Sequence, residues 1–250
     1  MDYKIILYII FGILPSLAWL SYYLRKDAHP ESNSAVLKTF LWGAVITLPV
    51  FFAQIGLATL LAKININPLV TSLIYWFIVI SATEEIFKYL VVRQKIFNSP
   101  DLDEPLDIML FMVITALGFA AVENILYLFA PTDQLSFNDV MNRTIIISLI
   151  RFVGATFLHT LCSGMIGYCI ALSIYETKKR IIYIISGFLA AIFLHGLYDF
   201  SIMMFEGPLK IITPVIILTM LAYFVISGFK RLKKMKSVCK IETPYLHKSA

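Results

Sequence analysis

Four short strings hold most of the chemically capable side chains in this sequence. They are Thr83-Glu84-Glu85-Ile86-Phe87-Lys88, Phe119-Ala120-Ala121-Val122-Glu123-Asn124, His159-Thr160-Leu161-Cys162-Ser163 and His195-Gly196-Leu197-Tyr198-Asp199. Paired carboxylates combined with two histidines suit hydrolysis. Glu84 or Glu85 can act as general base on a water, with Lys88 as a charge partner. His159 and His195 can ligate a metal, donate to an oxyanion or relay a proton. Asp199 follows His195 by one helical turn and can fix the tautomer of that imidazole. Asn124 can donate to a developing oxyanion or hold a backbone group. Two histidines with one glutamate form a common catalytic zinc set, and His159, His195 and Glu123 are the candidate ligands. The strong zinc-peptidase signal H-E-x-x-H does not occur, so the pattern argues for hydrolysis more than for zinc.

These side chains need helices to position them. Residues i and i+4 share a helix face. Glu84 with Lys88, Phe119 with Glu123, His159 with Ser163 and His195 with Asp199 each have that spacing. At about 1.5 Å rise per residue, both histidines fall near the middle of their apolar runs. Glu84 and Glu123 lie a little to either side. Four consecutive helices can therefore converge on one polar pocket near the middle of a membrane.

Composition demands such helices. The chain has 250 residues, of which 59% are hydrophobic and 15% charged, with a mean hydropathy of +0.82. Soluble domains are about 25% charged, so an ordinary soluble enzyme is excluded, as are a disordered chain and a collagen-like fibre. A spanning helix needs roughly 20 mostly apolar residues. Seven runs qualify: Tyr3–Leu24, Val36–Ala62, Pro68–Val92, Leu106–Phe129, Thr144–Tyr175, Ile181–Phe205 and Leu209–Phe229. The fifth is long enough to tilt or to extend beyond the bilayer. The fold class read from this is all-α, a polytopic membrane helical bundle of about seven transmembrane helices. The first run is too long for a signal-peptide core and reads as a retained anchor.

Short loops make the distribution of basic residues informative. With the N-terminus out, 15 of the 21 Lys and Arg fall in inside segments, against four (Lys4, Lys63, Arg143, Lys210) in outside ones. Lys88 and Arg151 lie within apolar runs. The bias predicts the N-terminus out and the C-terminus in. Residues 1–229 then form a transmembrane domain and residues 230–250 a basic cytoplasmic tail. It also accounts for the net charge of +5 without nucleic acid. The three cysteines, Cys162, Cys169 and Cys239, form no metal or disulfide pattern.

Structural readings compete for each residue. A buried Glu–Lys pair can simply hold helices together, Phe119 can be core, and Ser163 can pack in a small-residue stripe with Gly164 and Gly167. Arg151 can snorkel or pair with Glu123. A membrane transporter, a proton relay or a non-catalytic scaffold that binds a partner helix are the rival functions. A retinal-type receptor needs a lysine deep in the last helix, which the seventh run lacks. Ionisable groups in hydrocarbon cost several kcal/mol each. Four helices carrying them at matched spacing and depth argue for one shared site.

The strings E-E-x-x-K, F-x-x-x-E-N, H-x-x-x-S and H-x-x-x-D, in that order, resemble the motif set of the PrsW-type intramembrane proteases. The N-terminal residues Pro15, Trp19, Tyr22, Lys26-Asp27 and Pro30-Glu31 are similar to that family as well. The resemblance runs from Pro15 to Asp199. It implies membership of the wider CAAX-endopeptidase and bacteriocin-processing superfamily and a place in the bacterial cell membrane as a multi-pass protein. It implies site-1 cleavage of a single-pass anti-sigma factor within the lipid bilayer, on the extracytoplasmic side. Glu84, Glu85, Glu123, His159 and His195 are its implied catalytic residues, supported by Asn124 and Asp199. The family is often called a metalloprotease, while related glutamyl-type mechanisms hold the water without a metal.

Overall fold

The computed structural model describes residues 3–26, 29–97, 99–129 and 136–235. Most of the basic tail expected over residues 230–250, together with Asp27 and Cys239, lies outside these residues. Among the described residues the secondary structure is helical throughout. It comprises α1 (Tyr3–Leu24), α2 (Asn33–Leu61), α3 (Pro68–Ile74), a π-helical segment (Tyr75–Ala82), α4 (Thr83–Lys95), α5 (Pro105–Leu128), α6 (Phe137–Val153), α7 (Ala155–Tyr175), α8 (Arg180–Met204) and α9 (Leu209–Leu232). Seven helical stretches are long and apolar enough to cross a membrane.

Local chemistry sets the starts of these helices. Ser32 caps α2 by accepting from the Ala35 N–H at 3.1 Å. Asn67 caps α3, whose first residue is Pro68, and Pro105 opens α5 behind a reciprocal Glu104–Asp107 capping box. Ser136 caps α6.

The bundle is built around α5. In the most apolar window of this helix 94% of residues are buried, against 17–44% for the other spans. A helix apolar on every side belongs at the centre, and α1, α2, α4 and α7 all pack on it. Close approach to α2 depends on small residues. A Cβ on Gly43 would strike the Thr115 carbonyl, and one on Gly118 would strike the Phe40 carbonyl. The outward faces of α2, α6, α8 and α9 present exposed Leu, Ile, Val and Phe, the surface expected against lipid.

Two irregularities depart from the simple spans expected. The third run is not one α-helix: Tyr75–Ala82 is wound as a π-helix that ends directly before Thr83-Glu84-Glu85. Such segments are rare and frequent at functional sites. Here Ser81 Oγ donates to the Ile192 carbonyl at 2.6 Å, and Thr83 Oγ1 donates to the Val79 and Ile80 carbonyls. Phe77 lies so close to Gly196 that a Cβ there would collide with it. The fifth run, expected to tilt or to extend beyond the bilayer, is two helices broken at Gly154 (ψ −99°). A side chain at Gly154 would meet the Tyr198 hydroxyl and the Ile150 carbonyl. The break starts α7 afresh just before His159.

Candidate active site

The π-segment and α4, α5, α7 and α8 bring the four strings together, and all four polar centres are in contact. Lys88 is fully buried, and its Nζ lies 3.3 Å from Glu84 Oε2, 2.9 Å from Glu85 Oε1 and 2.9 Å from His159 Nδ1. It also stands 4.4 Å over the Phe119 ring. An ammonium can only donate, so His159 Nδ1 accepts. The other ring nitrogen, Nε2, then donates to Glu123 Oε2 at 2.9 Å. Arg151 holds the same Glu123 oxygen at 2.6 Å, which settles the sequence alternatives for Arg151 in favour of pairing.

Glu84 and Glu85, adjacent in sequence, have different surroundings. Both oxygens of Glu85 are engaged: Oε1 by Lys88 and by His195 Nδ1 at 3.0 Å, Oε2 by Ser163 Oγ at 2.8 Å. Ser163, read from sequence as a packing residue, is thus tied to the glutamate pair. Glu84 Oε1 accepts from Gln54 Nε2 at 3.2 Å, and its Oε2 stands 3.7 Å from His159 Nδ1 and 3.9 Å from His195 Nε2. The histidine rings meet edge to face, 5.1 Å apart.

These groups border a cavity of about 530 Å³. Glu84, Glu123, His159, His195, Asp199 and Arg151 line it, with Trp76 and Phe51 among its apolar walls. Glu85, Lys88 and Asn124 do not line it. Asn124 donates to the Gly12 carbonyl at 3.2 Å and to Thr156 Oγ1 at 3.0 Å, and accepts from Arg151 Nε at 2.5 Å. It therefore clamps α1, α5, α6 and α7 together rather than facing the space where an oxyanion would form. Asp199 Oδ2 is 3.4 Å from His195 Nε2. The carboxylate closer to that ring is Glu85, at Nδ1. Gln54 was not singled out from sequence; its signal was a lone amide in the otherwise apolar second run.

The donor set was tested for a metal. One ligand atom each from Glu84, His159 and His195 lies within 4.8 Å of the others, and all three residues are buried. Sequence reading put Glu123 with the histidines; the geometric group contains Glu84 in its place, because Glu123 is drawn to Arg151. Nitrogen and carboxylate ligands at roughly 2.0–2.1 Å in a tetrahedral centre lie about 3.4 Å apart. Glu84 Oε2 is within about 0.5 Å of that spacing from each histidine, by the distances above. Glu85 holds His195 by Nδ1 and leaves Nε2 toward the cavity, a common arrangement behind a metal-binding histidine. The donor types and their spacing suit a zinc-type ion once Lys88 Nζ, here 3.3 Å from Glu84 Oε2 and 2.9 Å from His159 Nδ1, withdraws from those two atoms. Lys88 shares the Glu84 and His159 edge of the triad.

A family model described as PrsW family intramembrane metalloprotease matches residues 31–227. The chain belongs to the PrsW family. Over 193 residues it is 31% identical to Protease PrsW of Geobacillus kaustophilus (strain HTA426), covering 77% of this chain and 78% of the relative. To Protease PrsW of Oceanobacillus iheyensis it is 29% identical over 207 residues, covering 83% and 88%. To Protease PrsW of Bacillus subtilis (strain 168) it is 26% identical over 229 residues, covering 91% and 94%. No solved structure matches. This PrsW-family chain is thus an intramembrane protease, a multi-pass protein of a bacterial membrane that acts on a membrane-embedded substrate. The transporter and scaffold readings fall away.

The buried lysine gives a stability prediction. Replacing Lys88 by Met leaves Glu84 and Glu85 adjacent without their shared cation, and removal of one partner from a buried ion pair costs about 3–5 kcal/mol. Thermal unfolding in detergent should show a large loss for Lys88→Met, partly recovered in Lys88→Met/Glu85→Gln. A variant as stable as the parent would show that Lys88 is not the counter-charge of the pair.

Proposed function

We propose that this protease cuts a single-pass membrane protein, an anti-sigma factor, on the extracytoplasmic side. Residues 1–229 are the catalytic domain and residues 230–250 a cytoplasmic tail. The observation that carries the reading is the single cavity onto which Glu84, Glu123, His159 and His195 converge. Its walls include Gln54 in the C-terminal half of α2, Tyr75 and Trp76 at the start of the π-segment, and Tyr127 and Phe129 at the C-terminal end of α5, all at one end of the bundle. The skew of basic residues to the opposite end supports placing this end outside.

In this reading Glu84, His159 and His195 hold the metal, which when bound polarises the scissile carbonyl and lowers the pKa of a water. Glu123 is the base. Its Oε2 is committed to Arg151 and His159, and its second oxygen takes the proton from the attacking water and passes it to the leaving amine. Asp199 lines the cavity beside His195, its Oδ2 3.4 Å from Nε2. Glu85 is a positioning residue: it holds His195 by Nδ1 and takes its own orientation from Lys88 and Ser163. Lys88 and Asn124 are likewise positioning residues, the first setting the glutamate pair and His159, the second setting Arg151.

A peptide bond inside a helix is shielded by its own hydrogen bonds in lipid. The substrate must therefore unwind to enter. In proteoliposomes, a single-pass substrate with Gly or Pro near its extracytoplasmic end should be cut faster than the same segment with Leu at those positions. Equal rates, or cutting confined to the cytoplasmic end, would overturn the assignment of side and substrate form.

A further inference from the structure

The N-terminal residues Trp19, Tyr22 and Lys26, which accompany the catalytic strings in sequence, lie nowhere near the catalytic cavity. Trp19 and Tyr22 on α1, with Lys26 two residues past its end, border a second cavity of about 360 Å³. The helices α1 and α9 form its sides and α7, through Phe157 and Leu161, its floor.

Its shape is amphipathic along the membrane normal. The inner part is apolar: Trp19, Tyr23, Phe157, Ala222 and Phe229. Trp19 is fixed there, its Nε1 donating to the Phe152 carbonyl at 2.9 Å and its ring stacked 4.3 Å from Phe157. Tyr23 donates to or accepts from Thr160 at 3.0 Å and stacks on Phe229. The mouth carries three exposed lysines, Lys26 at the end of α1 and Lys230 and Lys233 at the end of α9. Lys26 Nζ lies 4.6 Å over the Tyr22 ring. No acidic residue lines the cavity, and among the described residues no carboxylate pairs with these lysines. Lys26 follows Trp19 by seven positions, about 10 Å at 1.5 Å per residue if the helical rise is carried past Leu24. The cations thus sit at the membrane boundary while the aromatic slot runs into hydrocarbon.

We infer that this cavity is a binding site for an anionic phospholipid, with the phosphate held by Lys26, Lys230 and Lys233 and an acyl chain lying along Trp19, Phe157 and Phe229. Basic pockets between transmembrane helices hold acidic headgroups by this combination of charge and apolar burial. A zwitterionic lipid fills the same slot but gains no net attraction from the three cations. A soluble anion meets the cations but leaves the slot empty.

Trp19 is a built-in reporter. In a Trp42→Phe/Trp76→Phe background, the protein is placed in phosphatidylcholine vesicles. Quenching of Trp19 is then followed as chain-brominated phosphatidylglycerol or chain-brominated phosphatidylcholine is titrated in. Each lysine near an anionic headgroup contributes roughly a fivefold preference, so half-quenching by the anionic lipid is expected at about a hundredfold lower mole fraction. The combined change Lys26→Gln/Lys230→Gln/Lys233→Gln should bring the two lipids together, while added inorganic phosphate should leave the difference intact. Equal quenching by both lipids, or a difference that survives loss of the lysines, overturns the proposal. Relief of the difference by phosphate overturns it too, by making the site one for free anions.

Discussion

Changing Glu84 to Gln, or His159 to Ala, is expected to lower cleavage of a reconstituted membrane substrate by about a thousandfold or more, while the protein still accumulates and spans the membrane. The size follows from what each change removes. Glu84 is the carboxylate that stands between both histidines, 3.7 and 3.9 Å from their nitrogens, and His159 joins Lys88 to Glu123 across the site. In the proposed reading each substitution takes out a ligand and the link that aligns its neighbours, and general acid–base groups alone contribute about 10²–10⁴-fold. Glu84→Gln keeps the bond from Gln54 possible and preserves volume, so its loss of activity is not a loss of packing. Wild-type rates in the double variant would show that the chemistry lies elsewhere.

The second large effect separates the two cavity-facing carboxylates. Glu123→Gln should reduce turnover by about 10²–10⁴-fold while leaving metal content at the level of the parent protein. Glu84→Gln should lose both. The distinction rests on geometry: Glu84 is grouped with the histidine nitrogens, whereas Glu123 is pinned by Arg151 at 2.6 Å and touches only His159. Arg151→Lys, which cannot reproduce the planar fork to Glu123 and Asn124, should fall in the same direction as Glu123→Gln with metal retained. Metal lost from Glu123→Gln and kept by Glu84→Gln would reverse the two roles.

Much of this was legible in the sequence, and the parts that were not have physical causes. Seven apolar runs set the number of spans, because in lipid a backbone must satisfy itself and helices are the simplest way. The four i, i+4 pairs set Glu84, Glu123, His159 and His195 at matched depth, each on one face of its own helix with its partner, since both follow from helical pitch. Rotation about each helix axis was not legible. That rotation puts Glu85 behind the cavity and Glu84 within it, although the two are neighbours. It sends Asn124 toward Gly12 and Thr156, and draws Ser163 out of its small-residue stripe to Glu85. The π-segment was invisible in the sequence; it lies where the chain makes tertiary contacts, Ser81 with the Ile192 carbonyl and Phe77 against Gly196. The break at Gly154 had a sequence signal in the glycine, but one glycine in an apolar run is more often packed than broken. Gln54 showed itself only as a polar residue where none was needed.

The central claim is that the buried Glu84, His159 and His195 hold the metal with which this PrsW-family protease hydrolyses its substrate. The measurement that bears on it most directly is titration of zinc into the chelated protein in proteoliposomes, reading bound metal per chain and cleavage rate together. The account predicts that activity returns in proportion to occupancy and saturates near one ion per chain, and that Glu84→Gln and His159→Ala neither bind the ion nor recover. Cleavage at the parent rate by fully chelated, metal-free protein would contradict it.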